Sequence, residues 1–314
     1  MVFSLNLPQI EGTPWFNSEP LTNKDFEGKV VLLDFFTYSC VNCLRSLKHL
    51  RELHKKYSSL GLVIIGIHTP EFEFEKSSAN VEKALKDLKI KWPVVIDNDL
   101  NLWHLFANKY WPSKYLSNKD GKIVFSHVGE GKYLETENEI RTLLELDPIE
   151  PEKFKLEDPL KTNFCLKPTP ETYLGYHRGK PVNQEELVYD MPYNFVKPEL
   201  IPEDQFALDG QFNLKPEFVE SINYNSAIHL HFSATEINLV VIPVDESCIV
   251  EVKLNGEKIP DNLAGADVQD GMLKITDNRM YELLKADQGL SGVLTIHPFE
   301  ANFRAFAFTF SGCN

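Results

Sequence analysis

The amino-acid sequence predicts an α/β domain followed by an all-β, antiparallel sandwich of jelly-roll type. Three observations lead to this prediction. Strand-like and helix-like segments alternate up to about Asp147, prolines then cluster, and short stretches of alternating apolar residues follow. A chain of 314 residues is long enough for two domains, because single hydrophobic cores usually stop growing below that size.

The first strand and helix are predicted around the sequence DFFTYSCVNC, residues 34–43. The segment KVVLLDFF after Gly28 is a short run of β-favouring residues, typical of a strand buried on both faces in a parallel sheet. From Cys43 onward, leucines recur at three-residue spacing until Gly61, a frequent helix stop. Cys40 and Cys43 are therefore predicted at a strand-to-helix turn.

The alternation continues through the rest of this domain. The segments GLVIIGIHT and WPVVID are predicted strands, whereas NVEKALKDLKI and DLNLWHLFANKY are predicted helices. The segment KYLSNKDGKIVFSHV is a predicted hairpin with its turn at Lys119-Asp120-Gly121. A helix over ETENEIRTLLELD, with acidic residues in its first turn, completes the α/β unit.

Prolines at positions 148, 151, 159, 168 and 170 break regular structure and indicate a connector. We therefore predict domains at residues 1–148 and 170–314, joined by a proline-containing linker at residues 149–169. Beyond the linker, the segments AIHLHFSAT, INLVVIPV, CIVEVKLNG, GVLTIHPF and RAFAFTF are predicted short strands. Turns at Asn255-Gly256 and Asp270-Gly271 separate them, which favours an antiparallel sandwich.

Composition excludes several function classes. The formal net charge of −14 repels polyanions, so nucleic acid is not expected as a partner. The sequence has no apolar run of about 18 residues and no recognisable secretory signal. The five cysteines are odd in number and sparse, which favours a reducing compartment. We expect a cytoplasmic protein, or an extracytoplasmic one if the sequence has been trimmed.

The C-x-x-C motif at Cys40 and Cys43 suits thiol-disulfide exchange. A helix N-terminus offers unpaired N–H groups and a positive dipole end, so a thiol at Cys40 forms its thiolate more easily. A second thiol one turn deeper, at Cys43, can resolve a mixed disulfide on Cys40. This chemistry requires no cofactor.

The motif has two other interpretations. Zinc would use His49 and His54, which follow with finger-like spacing, but only five residues separate Cys43 from His49. All of them fall on one predicted helix, whereas a zinc finger uses a longer gap in which the chain turns back. We expect these histidines on the helix surface and no metal site. Both cysteines could instead be inert core thiols. Asp34, an acid in the middle of an apolar strand, argues for chemistry there, because a buried acid is costly.

These residues carry a resemblance to a known family. The stretch VVLLDFFTYSCVNC resembles the active-site strand and turn of thioredoxin-fold oxidoreductases of the TlpA type. The stretches GIHTPEFEFE, WPVVIDND, YWPSKYL and GEGKYLETE resemble the soluble domain of DipZ-type proteins. The stretches TPETYLGYHRG, FALDGQF and FAFTFSG resemble the second, carbohydrate-binding-module-like domain of that family.

The resemblance implies a thioredoxin-like first domain and a set of site residues. Cys40 would be the nucleophile, Cys43 the resolving thiol, Asp34 the buried acid and Pro112 a cis-proline beside the disulfide. The backbone of Trp111 would then be open to an extended substrate. The resembling motifs also supply candidate substrate-binding residues, namely Trp111, Tyr38, Glu71, Phe74 and Glu130.

The leading functional hypothesis is a dithiol-disulfide oxidoreductase that acts on disulfide-bearing protein clients. DipZ-type proteins carry a transmembrane electron-transfer module that this sequence lacks, so the thiol electron donor, a reductase or a membrane redox protein, stays unidentified. One alternative is a peroxiredoxin-type peroxidase, because Thr37 precedes Cys40 as in a T-x-x-C loop, although Leu33 replaces the expected proline. Another is a module that binds a glycan or protein through the C-terminal domain, with redox chemistry secondary.

Overall fold

The computed structural model describes residues 14–156, 167–184, 188–300 and 302–312. The chain divides into two compact units, Met1–Glu157 and Asp158–Asn314. The start of the predicted linker packs on the first unit, where the Ile149 backbone N–H donates to Asn138 Oδ1 at 2.7 Å. None of the helices in the described ranges is long and apolar enough to span a membrane.

The first unit is a mixed sheet with helices on both faces. Its strands β1 to β6 are Trp15–Phe16, Val30–Phe36, Leu62–His68, Val94–Ile96, Ser113–Ser117 and Ile123–Val128. Its helices α1 to α4 are Val41–Tyr57, Ser78–Asp87, Asn101–Leu105 and Tyr133–Leu143. The sheet order is β1-β4-β3-β2-β5-β6, with β2, β3 and β4 parallel and the remaining pairs antiparallel. The predicted α/β class is confirmed.

Strand β2 lies in the middle of this sheet and is buried along its whole length. Because successive side chains of a strand point to opposite faces, its residues divide between two cores. Val31, Leu33 and Phe35 pack with α3, whereas Val30, Leu32 and Phe36 pack with α1, α2 and α4. Asp34 has the parity of the second set, so its side chain belongs to the face that α1 covers.

Two predictions for this unit are wrong. Helix α3 ends at Leu105 and does not reach Tyr110, because Ala107 adopts a left-handed conformation with φ 52°. His49 does not lie on the helix surface. Its side chain is 1 % exposed and its Nε2 lies 3.5 Å from Glu137 Oε2 of α4, since α4 packs over this face of α1.

The second unit is rich in antiparallel strands, as predicted. Its strands β7 to β17 are Thr172–Tyr173, Pro192–Phe195, Gln205–Leu214, Val219–Ser221, Ala227–Pro243, Cys248–Leu254, Glu257–Lys258, Val268–Gln269, Met272–Ile275, Arg279–Glu300 and Phe303–Ser311. Within the described residues they form one eleven-stranded sheet, and their apolar side chains form one core.

Two long strands, β11 and β16, pair with each other in this sheet. The segments AIHLHFSAT and INLVVIPV, predicted as separate strands, form the single strand β11. On one edge β11 pairs with β16, and on the other it pairs first with β9 and then with β17. A register shift between Ala234 and Glu236 marks the change, and such irregularities bend strands. The predicted turns at Asn255-Gly256 and Asp270-Gly271 are present, with positive φ at both residues of each pair.

Candidate active site

Cys40 is the N-cap residue of helix α1. Its Sγ accepts a hydrogen bond from the Cys43 backbone N–H at 3.4 Å, and its own thiol donates to the Trp111 carbonyl at 3.9 Å. The residue is partly exposed and is a free thiol. A sulfur at this position faces the unpaired N–H groups of the first helical turn, which stabilise a thiolate.

Cys43 lies one turn deeper and is 1 % exposed. Burial raises the pKa of the Cys43 thiol, and the hydrogen bond with Cys40 and the charges of Cys40 and Asp34 raise it further. Cys40 is thus partly exposed, whereas Cys43, one turn deeper as the sequence predicts, is buried. Cys43 therefore needs a proton acceptor before it can act as a nucleophile.

Asp34 is buried in the middle of β2, as the sequence predicts. The structure adds a partner that sequence reasoning missed, because Lys114 Nζ on β5 lies 3.1 Å from Asp34 Oδ1. The two residues are directly opposite each other in the antiparallel register of β2 and β5. Burial raises the pKa of Asp34, although the Lys114 ammonium opposes this shift. The charge of Asp34 acts on Cys43, so the three groups form one electrostatic cluster.

The Trp111–Pro112 peptide bond is cis, as predicted. The Trp111 carbonyl faces the Cys40 thiol, while its ring stacks on Trp103 at 4.2 Å and its indole N–H donates to the Thr69 carbonyl at 3.1 Å. These contacts fix the residue that precedes the proline. A docking role for its backbone stays a prediction.

Glu75 is a second buried acid at this site, and the sequence prediction passed over it. It lies in the short 3-10 turn Glu73–Lys76 after β3 and is 0 % exposed. Its carboxylate accepts hydrogen bonds from the Thr37 and Ser39 hydroxyls, which lie just before Cys40 in sequence. These two hydrogen bonds attach the segment just before Cys40 to the loop that follows β3.

The remaining predicted substrate-binding residues occupy different environments. Tyr38 is 4 % exposed and its ring stacks on His68 at 5.4 Å, so it packs inward. Phe74 packs edge-on against Tyr38 with the ring centres 6.2 Å apart. Glu71 is partly exposed. Glu130 accepts a hydrogen bond from Tyr133 and lies 3.6 Å from Arg45, on the helix that carries the cysteines. Substrate contact by any of them stays a prediction.

The other three cysteines and the zinc interpretation can be compared with the structure only where it describes the residues concerned. Cys248 is buried, whereas Cys165 and Cys313 lie outside the described residues. Within the described ranges, no group of three or more His, Cys, Asp or Glu side chains is placed to hold a metal ion.

Two family models match the chain. Residues 5–126 match the AhpC/TSA family, and residues 169–311 match the family described as thioredoxin like C-terminal domain. The two matches correspond to the two units of the structure.

Curated relatives match between about a third and three quarters of this chain. Protein DipZ of Mycobacterium tuberculosis is 36% identical over 249 residues, which are 74% of this chain and 34% of that protein. NHL repeat-containing protein 2 of Gallus gallus is 44% identical over 131 residues, 40% of this chain and 18% of that protein. Thiol-disulfide oxidoreductase ResA of Bacillus cereus is 32% identical over 107 residues, 34% of this chain and 59% of that protein.

The chain thus spans about a third of the length of DipZ. The chain therefore has a thioredoxin-like first domain that matches the AhpC/TSA family, followed by a domain that matches the thioredoxin like C-terminal domain, and its relatives include DipZ and ResA.

Proposed function

We propose that this protein is a dithiol-disulfide oxidoreductase that exchanges disulfides with protein clients through Cys40 and Cys43. The observation that carries the proposal is the placement of the two thiols. A partly exposed Cys40 caps helix α1, and a buried Cys43 donates its backbone N–H to the Cys40 sulfur. The relative ResA, which matches 34% of this chain, is named a thiol-disulfide oxidoreductase.

The reaction proceeds in two displacement steps. The Cys40 thiolate attacks one sulfur of the client disulfide, forms a mixed disulfide and releases the first client thiolate. The Cys43 thiol then loses its proton to Asp34 and attacks the Cys40 sulfur, which forms the Cys40–Cys43 disulfide and releases the second client thiolate. The client gains two electrons and the protein loses two. In the reverse direction the same steps oxidise a client.

Two cysteine variants test the assignment. Cys40→Ser should abolish exchange, whereas Cys43→Ser should accumulate covalent client adducts that dithiothreitol releases. Adducts can be measured by mass spectrometry after incubation with a model protein disulfide such as insulin. Iodoacetamide should label Cys40 before Cys43 at mildly acidic pH. If Cys43 were labelled first, or if Cys40→Ser trapped clients, the two roles would be reversed.

The direction of electron flow depends on the reduction potential of the Cys40–Cys43 pair. We propose a separate thiol protein as electron donor, because thiol-disulfide exchange needs no cofactor. The number of cysteines is odd and they are widely spaced, which supports a reducing compartment such as the cytoplasm. Equilibration in glutathione buffers of graded ratio measures the potential. A value well above that of the cytosolic glutathione pool would favour an extracytoplasmic oxidant instead.

A thiol peroxidase is the second candidate, because the first unit matches the AhpC/TSA family. Thr37 precedes Cys40 as in a peroxidatic loop, but its hydroxyl donates to Glu75. We expect slow peroxide consumption by the reduced protein. Consumption that is fast and continues in Cys43→Ser would favour the peroxidase over the dithiol exchanger.

A glycan site in the second unit is a separate proposal that one cavity supports. The cavity measures about 680 Å³ and its lining includes His229, His231, His297 and Asn255. His229 is 8 % exposed, and its Nε2 has no hydrogen-bond partner among the described residues. Unpaired polar groups in a concave site suit a hydroxylated ligand. A glycan array probed with the full chain and with His229→Phe tests this, and equal or absent signals for both would exclude a glycan at this cavity.

A further inference from the structure

Glu75 accepts several hydrogen bonds beside the turn that carries Cys40, although the proposed reaction gives it no role. Its Oε1 accepts from the hydroxyls of Thr37 and Ser39, both at 2.5 Å. Its Oε2 accepts from the backbone N–H groups of Glu71 at 2.6 Å and Phe72 at 3.0 Å. Four donors thus converge on one buried carboxylate.

This arrangement matches the ionised form of the side chain. An ionised carboxylate only accepts hydrogen bonds and has room for about four donors, whereas a protonated carboxyl must donate one bond itself. Protonation would therefore place the new O–H against one of the four donors. The hydroxyls of Thr37 and Ser39 can rotate away, but the N–H groups of Glu71 and Phe72 are fixed by the backbone.

Thr37 connects Glu75 to both cysteines. The Thr37 carbonyl accepts the Cys40 backbone N–H at 3.4 Å, and a backbone hydrogen bond from Thr37 lowers the otherwise raised pKa of Cys43. A change at the Thr37 hydroxyl is therefore passed to the turn that presents the Cys40 sulfur.

The surroundings of Glu75 allow its charge to change near neutral pH. Burial raises the pKa of Glu75 to about 7, although the hydrogen bonds from Ser39 and Thr37 oppose the shift. The ionisable neighbours are Glu71, whose charge raises this pKa, and Tyr38, whose pKa burial and the charge of Glu75 raise. His68, 3.5 Å from the Thr37 hydroxyl, stays neutral because burial lowers its pKa to about 3.

We propose that Glu75 is a positioning residue for Cys40, whose ionised carboxylate holds the Thr37–Ser39 segment in place and whose protonation loosens it. The proposal deepens the oxidoreductase function and rests on it. In the proposed reaction Asp34 takes the proton of Cys43, whereas the hydrogen bonds of Glu75 go to Thr37, Ser39, Glu71 and Phe72 and it acts through the backbone of the turn.

The test compares the pH profiles of Cys40 alkylation in the intact chain. Reduced protein and its Glu75→Gln variant are treated with iodoacetamide between about pH 5.5 and 8.5, with labelling of Cys40 followed by mass spectrometry. Gln has a similar shape but offers one acceptor oxygen and an amide donor. We expect the variant to react about tenfold more slowly at pH 8, the usual effect of losing a hydrogen bond to a charged group. The difference in labelling rate between the two proteins should disappear below about pH 6, where the native Glu75 is protonated and also carries no charge.

Two further variants are measured in the same way, one that removes the hydroxyl donors of Glu75 and one control at another glutamate. Thr37→Val combined with Ser39→Ala retains the carboxylate but removes its hydroxyl donors, and should reproduce the slow labelling at pH 8. Glu137→Gln, a matched change of another buried glutamate in this unit, should leave the profile of the native protein unchanged. Circular dichroism checks that each variant is folded.

The possible results separate this proposal from the oxidoreductase function. A deficit in Glu75→Gln that is equal at every pH would mean a structural role only, and the absence of a deficit would also overturn the proposal. If the native protein labels at Cys40 but never exchanges disulfides with insulin, the proposed function fails. The positioning role of Glu75 would still be decided by the labelling profile.

Discussion

Asp34 is the buried acid whose charge acts on Cys43, the proposed resolving thiol. Asp34→Asn should keep the fold, because the two side chains have nearly the same shape, but should slow disulfide exchange by about 100-fold near neutral pH. Since burial raises the pKa of Asp34, the native protein loses its base as the pH falls, and the difference should narrow in acid. Stopped-flow exchange kinetics at several pH values measure this. Equal rates for both proteins would exclude Asp34 as the proton acceptor.

Lys114 compensates the Asp34 charge, and both side chains are 2 % exposed. Lys114→Met should destabilise the first unit by about 3–5 kcal/mol at pH 8, because it leaves a buried carboxylate without its partner. The double variant Lys114→Met, Asp34→Leu should recover most of that loss. Urea unfolding followed by tryptophan fluorescence reports on this unit, since all four tryptophans lie before residue 112. A double variant as unstable as the single one would contradict this account.

Glu137 gives the first unit a pH-dependent stability. Burial raises its pKa, but contacts with His49, Tyr57 and Lys56 outweigh this and lower it to about 2. The folded pKa lies below the unfolded value, so the stabilisation is complete above about pH 4.5 and is lost as the pH falls towards 2. Glu137→Gln should cost about 2 kcal/mol at pH 7 and much less at pH 3. A pH-independent difference in urea unfolding would refute the charge as its source.

In the second unit, Gly175 of the motif TPETYLGYHRG lies close to the backbone of Glu217 and Phe218. A Cβ at this position would lie 2.1 Å from the Glu217 carbonyl carbon and 2.4 Å from the Phe218 nitrogen, and backbone atoms cannot rotate away. Gly175→Ala should therefore destabilise the unit by about 3 kcal/mol. Gly256→Ala is the control, since a Cβ there meets open space and only the positive φ costs about 1 kcal/mol. Hydrogen exchange of β9 and β17 measures both, and equal protection in the two variants would contradict this prediction.

Elements with strong local signals were predictable from the sequence. Strand β2 and helix α1 follow from apolar runs and leucine spacing, and the turn at Asn255-Gly256 from its residue types. The end of α3 was not predictable, because the left-handed Ala107 has no local signature. The continuity of β11 was missed as well, since the register shift near Ala234 depends on its partner β16.

The candidate site shows the same division between local and tertiary information. Cys40, Cys43 and Asp34 were predictable because all three belong to one strand–turn–helix segment. Lys114 reaches Asp34 only through the register of β2 and β5, which the composition of β5 does not encode. Glu75 stands in the acidic, aromatic stretch EFEFE, where nothing in the sequence distinguishes it from its two neighbouring glutamates.

The whole molecule carries a formal charge of −14, which should influence which disulfides reach Cys40. At low ionic strength, the cationic disulfide cystamine should react with the reduced protein about threefold faster than the anionic oxidised glutathione, after correction for their intrinsic reactivities. Salt near 1 M shortens the Debye length to about 3 Å and should remove the difference. A rate ratio that salt does not change would show that net charge has no part in client selection.

The pairing of β7 with β17 determines when the second unit can be completed during synthesis. Tyr173 and Thr172 lie opposite Ala307 and Phe308, so one of the earliest strands of this unit waits for one of the latest to leave the ribosome. Contacts between residues so distant in sequence form slowly, because a long loop must close first. The first unit has its own core and is translated earlier, so it can fold while the second is still being made. Over that interval the early apolar strands of the second unit are open to chaperones, and also to aggregation.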